Sequence, residues 1–167
     1  MKTKVYYDEI AKGYNELYGE EQLKKWEIAK KLINLSKNDR VLDLGCGTGL
    51  ITEKISKKVD SIVGLDLSEE MIKNSIKRNN ISYVVGNAKK LPFENNEFDK
   101  VVSFTVIQDI DKWDYVLKEI KRVSKGEILI TVLKRKKNLT ELKKIISAYF
   151  KIKNFDEEEK DFIFLLE

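Results

Sequence analysis

The sequence predicts an α/β protein, a three-layer sandwich in which helices cover both faces of a mostly parallel sheet. Three observations carry this expectation. From about residue 40 onward, short apolar runs alternate with longer stretches whose apolar residues recur every three or four positions, the mark of strand and helix in turn. The runs RVLDL, SIVGLD, KVVSF and EILITVL are continuously apolar at their centres, as strands are when both faces are covered. A chain of 167 residues is also long enough for one domain with its own core, since folding at that size buries roughly 70% of the unfolded surface.

In chain order, residues 6–35 read as one or two amphipathic helices, with Leu23, Trp26, Ile28, Ala29, Leu32 and Ile33 on the apolar face. A strand at 40–44 leads into a helix at 49–57, and a strand at 61–66 into a helix at 69–79 bearing Met71, Ile72, Ser75 and Ile76. Residues 82–86 (SYVVG) form a further strand, followed by one at 100–104. Val116, Leu117, Ile120 and Val123 give the helix 113–123 one apolar stripe, and a strand at 127–133 follows it. The end of the chain reads as a helix at 139–150 and two strands, 151–155 and 161–166, joined by the acidic turn 156–160. That pair is expected to close the sheet as an antiparallel hairpin. With no repeat and no Pro- or Gly-rich linker, the chain is expected to be one domain, 1–167.

Composition removes several classes of function. Hydrophobic residues make up 42% and charged residues 36%, with one Pro and eight Gly, which suits a compact fold. No stretch approaches the roughly 20 apolar residues of a membrane span, and the opening residues lack the apolar run of a signal peptide, so a cytoplasmic protein without membrane attachment is expected. The single Cys46 excludes an intrachain disulfide; with no histidine and no second cysteine a zinc site has almost no ligands to draw on, and a histidine base is ruled out. The +4 charge, from 32 basic and 28 acidic residues, decides little.

The most informative segment is VLDLGCGTGL, residues 41–50, where a buried strand enters alternating glycines at 45, 47 and 49 and then a helix. Such a turn lets backbone approach a ligand, but dinucleotide and phosphate sites use it too. Here the third position of the dinucleotide fingerprint G-x-G-x-x-G is Leu50, and no G-K-[ST] follows. Asp43, at the strand end before the loop, would repel a pyrophosphate and attract an ammonium group. Asp66 ends the next strand, where a carboxylate can accept both hydroxyl hydrogens of a ribose. The ligand thus carries an amino acid and a ribose.

Five segments in order, VLDLGCGTG (41–49), SIVGLDLSEEMI (61–72), GNAKKLPFENNEFDKVV (86–102), SFTVIQDIDKW (103–113) and EIKRVSKGEILITVL (119–133), give the chain its family likeness. It resembles the class I S-adenosylmethionine-dependent methyltransferases, of the type that includes the ubiquinone-biosynthesis and related small methyltransferases. The resemblance implies a Rossmann-like sheet of seven strands in the order 3-2-1-4-5-7-6, a helical lid at 1–38 and a cofactor-binding core at 39–167. It implies S-adenosylmethionine as cofactor, with Asp43 and the loop Gly45, Cys46, Gly47 and Gly49 holding the methionine part and Asp66 the ribose. Leu67 and Met71 would pack on the adenine, Asn87 and Ala88 would address its edge, and Phe104 and Thr105 would lie beside the sulfonium. Three places depart from the family pattern: Gly86-Asn87 stands where Gly-Asp is common, Ile107-Gln108-Asp109 where relatives often carry a histidine-containing turn, and Lys125-Gly126 where a longer Pro-Gly-Gly turn is usual.

Methyl transfer from a sulfonium is an in-line displacement, so the protein chiefly aligns donor and acceptor and a base is optional. Candidates for one are Asp109, Asp111 and Tyr14, with Gln108 as a positioning group. Tyr6, Tyr7, Tyr14 and Tyr18 read equally as a lid over the cofactor or as a packed helix face. The basic runs at 134–137 (KRKK) and 89–90 favour a macromolecular acceptor such as RNA over a small molecule, although such runs also occur as plain solvated surface. With no room for a substrate domain, a partner subunit or a homodimer would help to form the acceptor pocket. A protein that binds the cofactor without transferring methyl groups, acting as a scaffold subunit, is the reading from another class.

Overall fold

The computed structural model describes residues 2–107, 110, 112–135 and 137–167, with the side chains of Lys2 and Thr3 left aside. Two N-terminal helices, α1 (Lys2–Ile10) and α2 (Tyr14–Leu32), meet at a 3-10 turn, Ala11–Gly13. The core follows as β1 (Arg40–Leu44), α3 (Leu50–Ser56), β2 (Ser61–Asp66), α4 (Glu69–Lys73), β3 (Ile81–Val85) and β4 (Lys100–Phe104). It ends with α5 (Trp113–Val123), β5 (Ile128–Leu133), α6 (Leu139–Ser147), β6 (Ile152–Glu157) and β7 (Asp161–Leu166). The seven strands form one sheet in the order β3-β2-β1-β4-β5-β7-β6, and β7 pairs antiparallel with both β5 and β6. This is the expected Rossmann-like arrangement with its closing hairpin.

Period-2 alternation in the strands sorts their side chains between two cores. Leu42, Leu44, Val63, Leu65 and Val101 pack with Val116, Leu117, Ile120 and Val123 of α5 and with Leu142 and Ile146 of α6. Val41, Ile62, Val102, Phe104 and Leu129 face the other way, onto Trp26, Ala29 and Ile33 of α2 and Ile51 and Ile55 of α3. The stripe on α5 is wholly buried, and each such side chain contributes about 1.5–3 kcal/mol. Trp26 meets Phe104 edge-on, with ring centroids 6.3 Å apart, which anchors α2 against the last residue of β4.

Several expected boundaries shift, and the helix expected over 139–150 ends at Ser147. The helix expected over 69–79 stops at Lys73. The Asn74 and Ser75 side chains donate to the Glu70 and Ile72 carbonyls, and the Ile76 amide turns away to the Thr48 carbonyl of the glycine loop. At the C-terminus, β6 runs on through Glu157, so the hairpin tip is shorter than the acidic turn expected over 156–160. No helix among the described residues is long and apolar enough to cross a membrane.

Candidate cofactor site

The site forms where the sheet's connections diverge. β1 lies between β2 and β4, chain connections leave in opposite directions from that point, and ligands of open α/β sheets settle there, at the carboxyl ends of the strands. A cavity of 320 Å³ opens at this place, lined by the ends of β1, β2 and β4, the turns after β2 and β3, and residues from α1 and α2.

The glycine loop shapes its floor. Gly45 and Gly49 have φ of +75° and +77°, in the left-handed region that residues with a Cβ rarely adopt. A Cβ on Gly45 would also lie 2.2 Å from the Val106 side chain, and one on Gly49 2.1 Å from the Tyr83 hydroxyl. The two glycines do different work: Gly45 lines the cavity, while Gly49 lies outside the lining and lets Tyr83 pack against the loop.

Asp66 ties the loop to the second strand. One carboxylate oxygen accepts from the Gly47 amide at 2.9 Å and the other from the Ser68 amide at 2.9 Å. Each oxygen keeps a lone pair for a ligand hydroxyl, the acceptor pair a ribose diol requires. Burial raises the Asp66 carboxyl above its ordinary value, and the amides of Ser68, Gly47 and Leu67 oppose that rise.

Asp43 sits behind the loop and is only 2% exposed. It accepts from the Thr52 hydroxyl of α3 at 2.6 Å, and burial lifts its carboxyl to about 7. It does not line the cavity, so its influence on a ligand there acts through the loop. Cys46 is buried beside it, with its thiol pushed up by burial and by the Asp43 and Asp66 charges. A thiol in that state is a packing group, not a nucleophile.

The remaining expected residues divide in the same way. Gly45, Gly47, Asp66, Leu67, Met71, Asn87, Ala88, Phe104, Thr105 and Tyr14 line the cavity, whereas Asp43, Cys46 and Gly49 lie outside it. The Asn87 side-chain oxygen already accepts from the Lys89 amide at 2.9 Å. Gln108, Asp109 and Asp111 fall outside the described residues. Of the four tyrosines, Tyr7 and Tyr14 line the cavity, while Tyr6 and Tyr18 share a hydrogen bond of 2.6 Å. Their rings run on from one another, with centroids 5.2 to 6.3 Å apart along Tyr6, Tyr7, Tyr14 and Tyr18. Burial raises the Tyr14 hydroxyl well above its ordinary value, so it stays protonated at neutral pH and serves as a donor and wall.

Lys4, Ser68, Val106 and Ile110 also belong to the site, although sequence reasoning did not single them out. Ser68 had a legible signal: the Ser-Glu-Glu-Met stretch opens a helix, and the Ser68 hydroxyl caps α4 by accepting from the Met71 amide at 3.1 Å. The same hydroxyl donates to Asp8 of α1 at 2.5 Å, which fastens α1 beside Asp66. No cluster of metal-ligating side chains is present among the described residues.

Residues 42–132 match the methyltransferase domain family, more than half of the chain. The chain belongs to this family. An uncharacterized protein of Methanocaldococcus jannaschii is 38% identical over 155 residues, 90% of this chain and 58% of that one. A demethylmenaquinone methyltransferase of Staphylococcus aureus is 32% identical over 157 residues, 87% of this chain and 65% of that one. This methyltransferase domain therefore spans 58% to 65% of the length of these curated relatives. Among solved structures, a chain from the complex of the Haloferax volcanii Trm112 methyltransferase activator with a methyltransferase superposes with a TM-score of 0.82 at 21% identity, covering 90% of this chain and 78% of that one. A SAM-dependent methyltransferase from Aquifex aeolicus does so at 0.74 and 20% identity, covering 84% and 87%. At such identities these two likenesses speak for the fold.

S-adenosylmethionine is the cofactor of this family, and the donor set fits it. Asp66 offers two oriented acceptors for a diol, the loop offers backbone within reach of an amino-acid tail, and Leu67, Met71 and Ala88 offer apolar surface for a base. A pyrophosphate would instead meet the Asp66 carboxylate, with no cationic side chain in the loop between residues 45 and 49.

Proposed function

We propose that the chain is a methyltransferase that uses S-adenosylmethionine and acts on a small molecule with an apolar or aromatic body. The observation that carries this is the Asp66 clamp. A carboxylate held by the Gly47 and Ser68 amides at the mouth of a glycine loop suits the ribose of a nucleoside bearing an amino acid. Bound there, the cofactor supplies an already activated methyl group. The protein's own part is alignment and exclusion of water. Asp66 orients the ribose, the loop backbone places the amino-acid tail, and Tyr14, Tyr7, Phe104 and Thr105 wall the cavity. Residues 1–38 act as the lid and 39–167 as the cofactor core.

For the acceptor, the tyrosine walls and the apolar Val106 and Ile110 support an apolar small molecule over a polyanion. Within the basic run at 134–137, Lys134 pairs with Glu157 at 3.1 Å and Lys137 with Glu141 at 2.5 Å, which leaves less charge for nucleic acid. Lys136 lies outside the described residues. The likeness to a chain from a complex of a methyltransferase with its activator supports a partner as a second element of the reading.

The test incubates the pure protein with cofactor labelled on the methyl group and with separate pools of small metabolites, RNA and protein. Label in the small-molecule pool supports the reading. Label in RNA or protein replaces its acceptor half, and cofactor binding without label in any pool indicates a scaffold subunit.

A further inference from the structure

Lys25 is a fully buried lysine in the middle of α2. An ammonium is costly inside a protein unless each of its three donors finds a partner. Here all three do. Lys25 donates to Glu21 at 2.8 Å and to the Thr105 hydroxyl at 2.8 Å, and it forms a 2.6 Å ion pair with Asp161, itself fully buried at the start of β7. The Thr105 hydroxyl, having accepted from Lys25, donates to Asp161 at 2.9 Å. Its amide donates to the Thr131 hydroxyl of β5 at 2.9 Å. Four elements, α2, β4, β5 and β7, thus converge on one threonine.

Two features mark this cluster as more than packing. Thr105 follows β4 with φ of +60°, a left-handed conformation that is unfavourable for a β-branched residue and persists only where its surroundings enforce it. It also lines the cofactor cavity at the end of β4. The second feature is incomplete satisfaction. The other Asp161 oxygen is buried without a hydrogen-bond partner among the described residues, so the pair is not arranged for greatest stability.

We propose that Lys25 is a positioning residue: with Asp161 it holds Thr105 in the left-handed turn that shapes the β4 side of the cofactor cavity. This rests on the cofactor reading above. The consequence is that α2 does more than cover the site, because a side chain from its middle sets the backbone that follows β4.

The test exchanges both charges at once. Lys25→Met together with Asp161→Leu replaces the pair by apolar groups of similar volume, a change that commonly leaves stability equal or higher. Wild type, this double variant, Thr105→Ser and Thr105→Val are titrated with S-adenosylmethionine by calorimetry, and their Tm values are recorded. The expected result is a double variant that unfolds no earlier than wild type and binds the cofactor about tenfold more weakly, about 1.4 kcal/mol. Thr105→Ser keeps the hydroxyl and stays within about threefold of wild type, while Thr105→Val falls with the double variant. Wild-type affinity in a folded double variant overturns the proposal. Should the double variant fail to fold, the two Thr105 variants decide, and equal affinities for Ser and Val overturn it. If wild type takes up no S-adenosylmethionine, the cofactor reading fails instead.

Discussion

Replacing Asp43 with asparagine removes the carboxyl sealed under the glycine loop while keeping an oxygen for the Thr52 hydroxyl, which now donates to it at 2.6 Å. Burial lifts this carboxyl from its ordinary 3.8 to about 7. The folded chain therefore holds the Asp43 proton more tightly than the unfolded chain does. Between those two values it binds more protons than the unfolded chain, so stability falls as pH rises through the window and levels off above about 7. At 1.36 kcal/mol per pKa unit, the whole window is worth about 4 kcal/mol, and the part between pH 5 and pH 8 about 3 kcal/mol. Urea denaturation of wild type and Asp43→Asn at pH 5, 6, 7 and 8 isolates this contribution, because the other carboxyls cancel in the difference. Relative to the variant, wild type is expected to lose about 3 kcal/mol across the series. Parallel stability curves would refute the assignment of that proton to Asp43. A ligand ammonium near the loop favours the charged carboxylate, so S-adenosylmethionine binding near pH 6 is expected to release a proton. Calorimetry in two buffers of different ionisation enthalpy reads this as unequal apparent enthalpies.

Further outcomes follow from the same geometry. Gly45→Ala places a Cβ 2.2 Å from Val106 at a left-handed φ, and a loss of about 1–3 kcal/mol by denaturation, with abolished cofactor binding, is expected. Asp8→Ala removes the bond to the Ser68 hydroxyl, so limited proteolysis should cut residues 2–13 faster, and an unchanged cleavage rate would free α1 from that latch. Leu117→Ala hollows the α5 stripe and should cost about 2–5 kcal/mol with cofactor affinity per folded molecule preserved.

The sequence was most legible where physics is local. RVLDL, SIVGLD, KVVSF and the last strand end where expected, because strands buried on both faces leave an unbroken apolar signature. Asp66 was legible because a carboxylate closing a strand after a glycine loop has few structural reasons to be there. The helix over 69–79 was overestimated because its end depends on a partner outside the segment, the Thr48 carbonyl. Lys25 and Asp161 were invisible for a related reason: one is a lysine among many, the other the first residue of a hairpin strand, and only the sheet order brings them to Thr105. Asp43 was readable as important, but its place behind the loop instead of in the cavity depends on α3 packing over it.

The central claim is that this site takes S-adenosylmethionine through the Asp66 clamp. Isothermal titration of the pure protein with S-adenosylmethionine and, separately, with a nicotinamide dinucleotide tests it most directly, with Asp66→Ala alongside. The account predicts one S-adenosylmethionine per chain, no dinucleotide binding, and affinity reduced at least tenfold in the variant. Dinucleotide bound in preference, or S-adenosylmethionine bound equally well without the Asp66 carboxylate, would contradict it.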